Sequence, residues 1–237
     1  MDSFLKLQAI YNGNVSELET RLKDVPSYRL NDKLLRQTTL LDFAVMANQL
    51  GTVKLLLEKG AKADNDTFYL AALKGNVEIG RLLLEHHRWF GTPTLAHACA
   101  RGHIDFARLL LEHHAKVNGC KSSRPLHNAT QWGHREIVKL LLEAGASLTM
   151  VDDNNTQPLH IAIFRKRYDI ARDLVAAGAP VDSTTLYYDS PLDCAREDAS
   201  TDPELKLLLE ECLEPAFARH PRRGRRPSLA AHPDMSP

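Results

Sequence analysis

The segment Arg124-Pro125-Leu126-His127 is echoed 33 residues later by Gln157-Pro158-Leu159-His160, and after another 33 by Ser190-Pro191-Leu192-Asp193. Behind the first echo come Gly133-His134 and then the apolar run Ile137-Val138-Lys139-Leu140-Leu141-Leu142. A unit this short cannot bury its own apolar residues, so a fixed period of this size means copies stacked on one another. Such a stack offers a long shared surface and rarely a closed chamber. The period therefore constrains function as well as fold.

Residues 124–146 show how one unit is built. Pro125 suits a first helical turn, because its missing N–H and fixed φ cost nothing there. Leu126, Ala129 and Thr130 give a short helix with a small-residue face, and Gly133 can take the left-handed conformation that ends it. Ile137, Val138, Leu140, Leu141 and Leu142 form a second helix, stopped by Gly145.

These residues resemble the ankyrin repeat, T-P-L-H-x-A-A, then G-H, then V-x-x-L-L-x-x-G-A. The pattern recurs at 156–182 through Leu159-His160-Ile161-Ala162 and Leu174-Val175-Ala176-Ala177-Gly178-Ala179, and at 92–118 through Leu95, Ala98-Cys99, Gly102-His103 and Leu109-Leu110-Leu111. It is looser at 39–64 and 66–88, and degenerate at the ends, 4–23 and 190–213. The resemblance implies an all-α fold over residues 1–213: a solenoid of seven antiparallel helix pairs joined by short β-hairpin loops. Residues 214–237, rich in Arg and Pro, read as a disordered tail.

Two departures carry expectations of their own. Asn48 and Lys166 stand in the helix-ending glycine slot; lysine takes that backbone less readily, so the turn at 165–168 is expected to be remodelled. The spacing also shrinks, to 27 residues from Asn48 to Gly75 and 27 from Gly75 to Gly102. Helical periodicity survives on both sides, so the hairpins near 62–66 and 88–92 are expected to be truncated.

The resemblance implies a partner docking on the concave side, against hairpin tips and the outward positions of each first helix. Those positions, two and one before the glycine slot, read Tyr11, Met46, Leu73, Ala100, Gln131, Phe164 and Asn12, Ala47, Lys74, Arg101, Trp132, Arg165. Trp89, Phe90, Lys121 and Asp153 fall at hairpin tips. The candidate surface is therefore Tyr11, Met46, Leu73, Lys74, Trp89, Phe90, Arg101, Lys121, Gln131, Trp132, Phe164 and Arg165, and it favours an acidic, apolar segment of a protein. The plain alternative is ordinary surface, since scattered exposed apolar residues are common.

Bulk properties exclude more than they assign. Net charge is zero, which gives no reason to expect nucleic acid or membrane, and no stretch approaches 18 apolar residues. The four cysteines lack C-x-x-C spacing, and the N-terminus lacks a basic segment followed by an apolar run; cytosol or nucleus is the expected compartment, and a monomer the expected state. Residues 214–237 carry five arginines and two acids, a net of +3, and Arg225-Arg226-Pro227-Ser228 resembles a basophilic kinase site, making Ser228 a candidate regulatory position.

No catalytic or metal residue is singled out, and no cofactor is expected. His127 and His160 fill the motif's histidine slot, where the family uses a buried hydrogen bond between loops, and His103 and His134 fill the slot after the glycine. His86-His87 and His113-His114 end two second helices, where a cation suits the dipole. Asp152-Asp153-Asn154-Asn155 is not a calcium loop, since Gln157 and Ile163 stand where glycine and the bidentate Glu belong. One alternative is a small-molecule or enzyme pocket within residues 70–105, lined by Trp89, Phe90, His97 and Arg101.

Overall fold

A computed structural model describes residues 2–34, 38–87, 91, 93–120, 123–185, 189–198 and 201–212. They form fourteen α-helices in seven antiparallel pairs, as the 33-residue period implied. The chain divides into two compact units, Met1–Pro125 and Leu126–Pro237.

The first unit holds α1 (Asp2–Tyr11) with α2 (Val15–Leu22), α3 (Leu40–Met46) with α4 (Leu50–Glu58), α5 (Asn65–Lys74) with α6 (Val77–His86), and α7 (Pro93–Arg101) with α8 (Ile104–Glu112). First helices pack in the order α1, α3, α5, α7, and second helices in the order α2, α4, α6, α8. The second unit holds α9 (Pro125–Trp132) with α10 (Arg135–Glu143), α11 (Pro158–Phe164) with α12 (Tyr168–Ala176), and α13 (Pro191–Glu197) with α14 (Pro203–Glu211). There α11 packs on α13, and α10, α12 and α14 follow one another.

Each second helix is amphipathic. In α10 the residues Ile137, Val138, Leu140 and Leu141 are buried, while Arg135, Glu136 and Glu143 face solvent. That stripe recurs every three or four residues, so only one face needs a neighbour. Each fully buried leucine contributes about 2 kcal/mol of transfer free energy. Across the outer surface of the second unit, Arg135 donates two hydrogen bonds to Asp173, at 2.6 and 2.8 Å, tying α10 to α12 and holding the Asp173 carboxyl below the usual range. Arg172 likewise ties α12 to Asp202 and Glu204 at the start of α14.

The turn between paired helices carries the architecture. Gly13, Asn48, Gly75, Gly102, Gly133 and Lys166 all take positive φ, from 55° to 81°. Lys166 corrects the expected remodelling: at φ 55° it adopts the left-handed conformation that glycine adopts elsewhere. A left-handed non-glycine residue is strained by about 1 kcal/mol, and the hydrogen bonds closing the turn hold it there. Lys166 N–H donates to Ile163, and Arg167 N–H to Ala162.

Glycine serves a second purpose at this slot, because a side chain of the following pair lies over it. A Cβ on Gly75 would sit 2.3 Å from the His103 ring, and one on Gly13 would sit 2.6 Å from Gln49. The overlying groups are fastened: His103 donates to the Leu73 carbonyl at 3.1 Å, and Gln49 to the Tyr11 carbonyl at 3.2 Å. Asn48 is admitted because its neighbour Asn76 is short and donates to its side-chain oxygen at 2.9 Å.

The connections between pairs differ as the spacing predicted. From α4 to α5 the chain runs only from Glu58 to Asn65, without a projecting finger. Lys62 N–H donates to the Asn31 side chain, and Ala63 N–H to His87 Nε2 at 3.1 Å, which gives His87 a structural use beyond helix polarity. From α6 to α7 the chain runs from His86 to Pro93, equally short, although 88–90 and 92 lie outside the described residues. The longer connection from α10 to α11 folds into a turned tip, where Asp152 accepts from Asn154 and Thr156. Cys120 and Ser123 form a single bridge at another tip.

The motif position six residues before the left-handed turn links successive pairs. His127 donates to the Thr156 carbonyl at 3.0 Å and His160 to the Asp189 carbonyl at 3.0 Å, as the resemblance implied. Asp42 holds that position in the first unit: it caps α3 with Thr39 and accepts from the Thr67 hydroxyl at 2.6 Å. Cys99 is buried among these helices, which raises its pKa, and burial pushes the Cys194 thiol up to about 12. Brief iodoacetamide treatment of the native protein is therefore expected to label exposed Cys212 and spare Cys99 and Cys194, read by peptide mass spectrometry.

Candidate functional site

The first unit brings five predicted residues to the C-terminal ends of its first helices. Tyr11 is 71% exposed, Met46 41%, and Lys74 and Arg101 are exposed, while Leu73 is half-buried. Because α1, α3, α5 and α7 pack in sequence, these ends line one edge of the unit. The edge is held from behind: Gln49 and His103 fix the carbonyls of Tyr11 and Leu73. Such preorganisation lowers the ordering cost a partner must overcome.

Two residues that the glycine-slot rows did not include belong to the same surface. Tyr69, 39% exposed, lies one turn before Leu73 on α5, and His97 lies one turn before Arg101 on α7. Side chains four apart share a helix face. The two rings meet edge to face, with centroids 4.6 Å apart, and the His97 imidazole N–H donates to the Pro93 carbonyl at 2.7 Å. The signal was present as a four-residue step back from each row position.

The charge on this edge has one sign. Neither Lys74 nor Arg101 makes an ion pair among the described residues. The only acid in α5 is Asp66, in its first turn, and α7 has none.

In the second unit, Trp132 ends α9 and is 52% exposed, with Gln131 half-buried beside it. Phe164 and Arg165, at the end of α11, are both half-buried. Trp89, Phe90, Lys121 and Ser228, with the whole 214–237 tail, lie outside the described residues.

Of the residues assigned to the alternative pocket, Trp89 and Phe90 lie outside the described residues. His97 is occupied by Tyr69 and Pro93. An open groove of about 310 Å³ lies between α6 and α8, lined by Val77, Arg81, Asp105, Arg108, Leu109 and Glu112. Its lining includes two arginines and two acidic residues. Among the described residues, no three His, Cys, Asp or Glu side chains are placed to hold a metal ion, and no helix is long and apolar enough to cross a membrane.

Comparison with known proteins agrees with this architecture. A family model for ankyrin repeats matches three times, at residues 41–119, 68–152 and 120–185, together more than half of the chain. The crystal structures of the human ASB11 ankyrin repeat domain and of the Bcl-3 ankyrin repeat domain each superpose with a TM-score of 0.74 over 87% of this chain. They cover 96% and 97% of those chains at 21% and 22% identity, which speaks to fold alone. Among curated proteins, human protein phosphatase 1 regulatory subunit 27 is 40% identical over 85 residues, 36% of this chain. The chain spans about half the length of that relative, 51%.

Proposed function

The chain belongs to the ankyrin repeat family, and from that premise we propose that it is a non-catalytic protein-binding module, a scaffold or adaptor, whose first-helix ends face the partner. Ankyrin repeats mediate protein–protein interaction. The observation that carries the finer reading is the register of exposure: Tyr11, Met46 and Trp132, each at a first-helix end, are among the most exposed large apolar side chains described. Stacking alone gives no reason to leave a tryptophan or a tyrosine at such positions. Aromatic and cationic side chains are the types enriched at interfaces.

Each unit offers its own candidate row: Tyr11, Met46, Leu73, Lys74 and Arg101 in the first, and Gln131, Trp132, Phe164 and Arg165 in the second. The apolar and cationic composition favours an acidic, apolar segment. Similarity to protein phosphatase 1 regulatory subunit 27 makes protein phosphatase 1 the first partner to assay.

The test is capture on the immobilised full chain, from cell lysate and with purified protein phosphatase 1, compared with Met46→Ala and Trp132→Ala variants. Loss of either exposed apolar anchor is expected to weaken capture about thirtyfold, with the melting temperature unchanged. Undiminished capture by both variants would remove these helix ends as the binding surface.

A further inference from the structure

We propose that the strip formed by Tyr69, Leu73 and Lys74 on α5 with His97 and Arg101 on α7 binds an acidic segment in the polyproline II conformation, its two carboxylates three residues apart and apolar residues between them. This rests on the protein-binding reading above and gives the partner a chemistry and a conformation.

The charges come first. Lys74 and Arg101 end neighbouring packed helices, are exposed, and have no acidic residue in the last turns of α5 or α7 to satisfy them. The cations of the outer groove differ, because Arg81 and Arg108 share it with Asp105 and Glu112. Uncompensated positive charge on a preformed surface fits an anionic partner, and two cations on a protein edge fit two carboxylates.

The spacing then selects the conformation. Packed helices lie about 8–10 Å apart, so cations at equivalent ends of α5 and α7 are separated by about that distance. A polyproline II chain rises about 3.1 Å per residue with three residues per turn, so residues i and i+3 point the same way about 9 Å apart. A β-strand returns a side chain to the same face every second residue, at about 7 or 14 Å, and misses the pair.

Beside the cations the surface is largely apolar, with the Tyr69 and His97 rings about one turn back along their helices. The Tyr69 ring is braced edge-on by His97, which the Pro93 carbonyl holds in turn, and Leu73 lies one turn along from Tyr69. Flat, fixed aromatic surface suits proline and leucine side chains of a chain that has little conformational freedom left to lose.

An array of nine-residue peptides, each with two Asp residues placed three to seven positions apart around a central Pro-Leu, tests this when probed with the full chain at low salt. Binding is expected to peak at a separation of three, and to fall at least about tenfold when Asp is replaced by Asn. It should fall equally in the Lys74→Gln/Arg101→Gln variant and persist in Arg81→Gln/Arg108→Gln. A peak at any other separation would show that the occupant is not a polyproline II segment and overturn the proposal, as would absence of binding or indifference to Lys74 and Arg101. Those results would leave the helix-end reading standing if Met46→Ala and Trp132→Ala still weaken capture of the whole partner about thirtyfold. If capture is undiminished in both, that reading falls by itself.

Discussion

Phe106→Ala is expected to destabilise the first unit by about 4 kcal/mol, a cost typical of emptying a fully packed aromatic site. The Phe106 side chain is 1% exposed on α8 and lies against Gly80 of α6. Gly80 decides how closely the two second helices approach: a Cβ there would stand 2.6 Å from Phe106 Cε2 and 3.0 Å from Leu109 Cδ2. Gly80→Ala therefore sets two effects against each other. Alanine in a helix interior gains about 1 kcal/mol over glycine. Overpacking a core that cannot relax costs about 1–3 kcal/mol, and Leu109, also 1% exposed, leaves no room to relax. The net effect is expected to be destabilising. Trimming the ring should reverse its sign, so that Gly80→Ala becomes stabilising in a Phe106→Leu background. Urea unfolding of the two single variants and the double checks this, and strictly additive effects would show that Gly80 and Phe106 do not share the contact.

That contact also marks what a repeat pattern reveals and what it hides. The period, the helix pairs and the short connection at 59–64 are legible because each follows from spacing alone: one copy of a unit predicts the next. Gly80 is absent from the pattern, since its reason is the ring of a residue 26 positions away, and pairings between repeats do not show in either repeat by itself. Lys166 departs from the expectation for a related reason. Backbone preference was weighed residue by residue, whereas the turn is closed by main-chain hydrogen bonds from Lys166 and Arg167 that hold whatever side chain is present. The 3-10 turn at Ser27–Asn31, which buries Leu30 and takes up Lys62 N–H through Asn31, follows no repeat position and left no periodic signal.

The candidate surface divides along the same line. Tyr11, Met46 and Trp132 could be placed by counting back from the turn, because register fixes which helix face a position occupies. Tyr69 and His97 needed a second step, along the helix by four, and their ring contact across α5 and α7 could not be counted at all. Side-chain orientation between neighbouring repeats is set by packing. Register says only where a residue starts.

Acid is expected to weaken the second unit through His160 by about 3 kcal/mol between neutral pH and about pH 4. The ring is fully buried beside Phe164, its Nε2–H donates to the Asp189 carbonyl, and Nδ1 has no partner among the described residues. Burial dominates over that hydrogen bond and lowers its pKa from the ordinary 6.5 to about 4. The direction follows from proton binding: below pH 6.5 the unfolded chain takes up a proton that the folded chain refuses until about pH 4. Stability is therefore complete above about 6.5, declines as pH falls toward 4, and loses nothing more from this group below it. At about 1.4 kcal/mol for each tenfold change in proton affinity, the loss comes to about 3 kcal/mol. The quantity to measure is the difference between the wild type and His160→Gln, whose amide can still donate to Asp189. Urea midpoints of the wild type should fall more steeply from pH 6.5 to 4 than those of the variant. Two parallel curves would mean that the buried imidazole accepts its proton without cost, and that His160 sits in a wetter, more yielding site than its packing indicates.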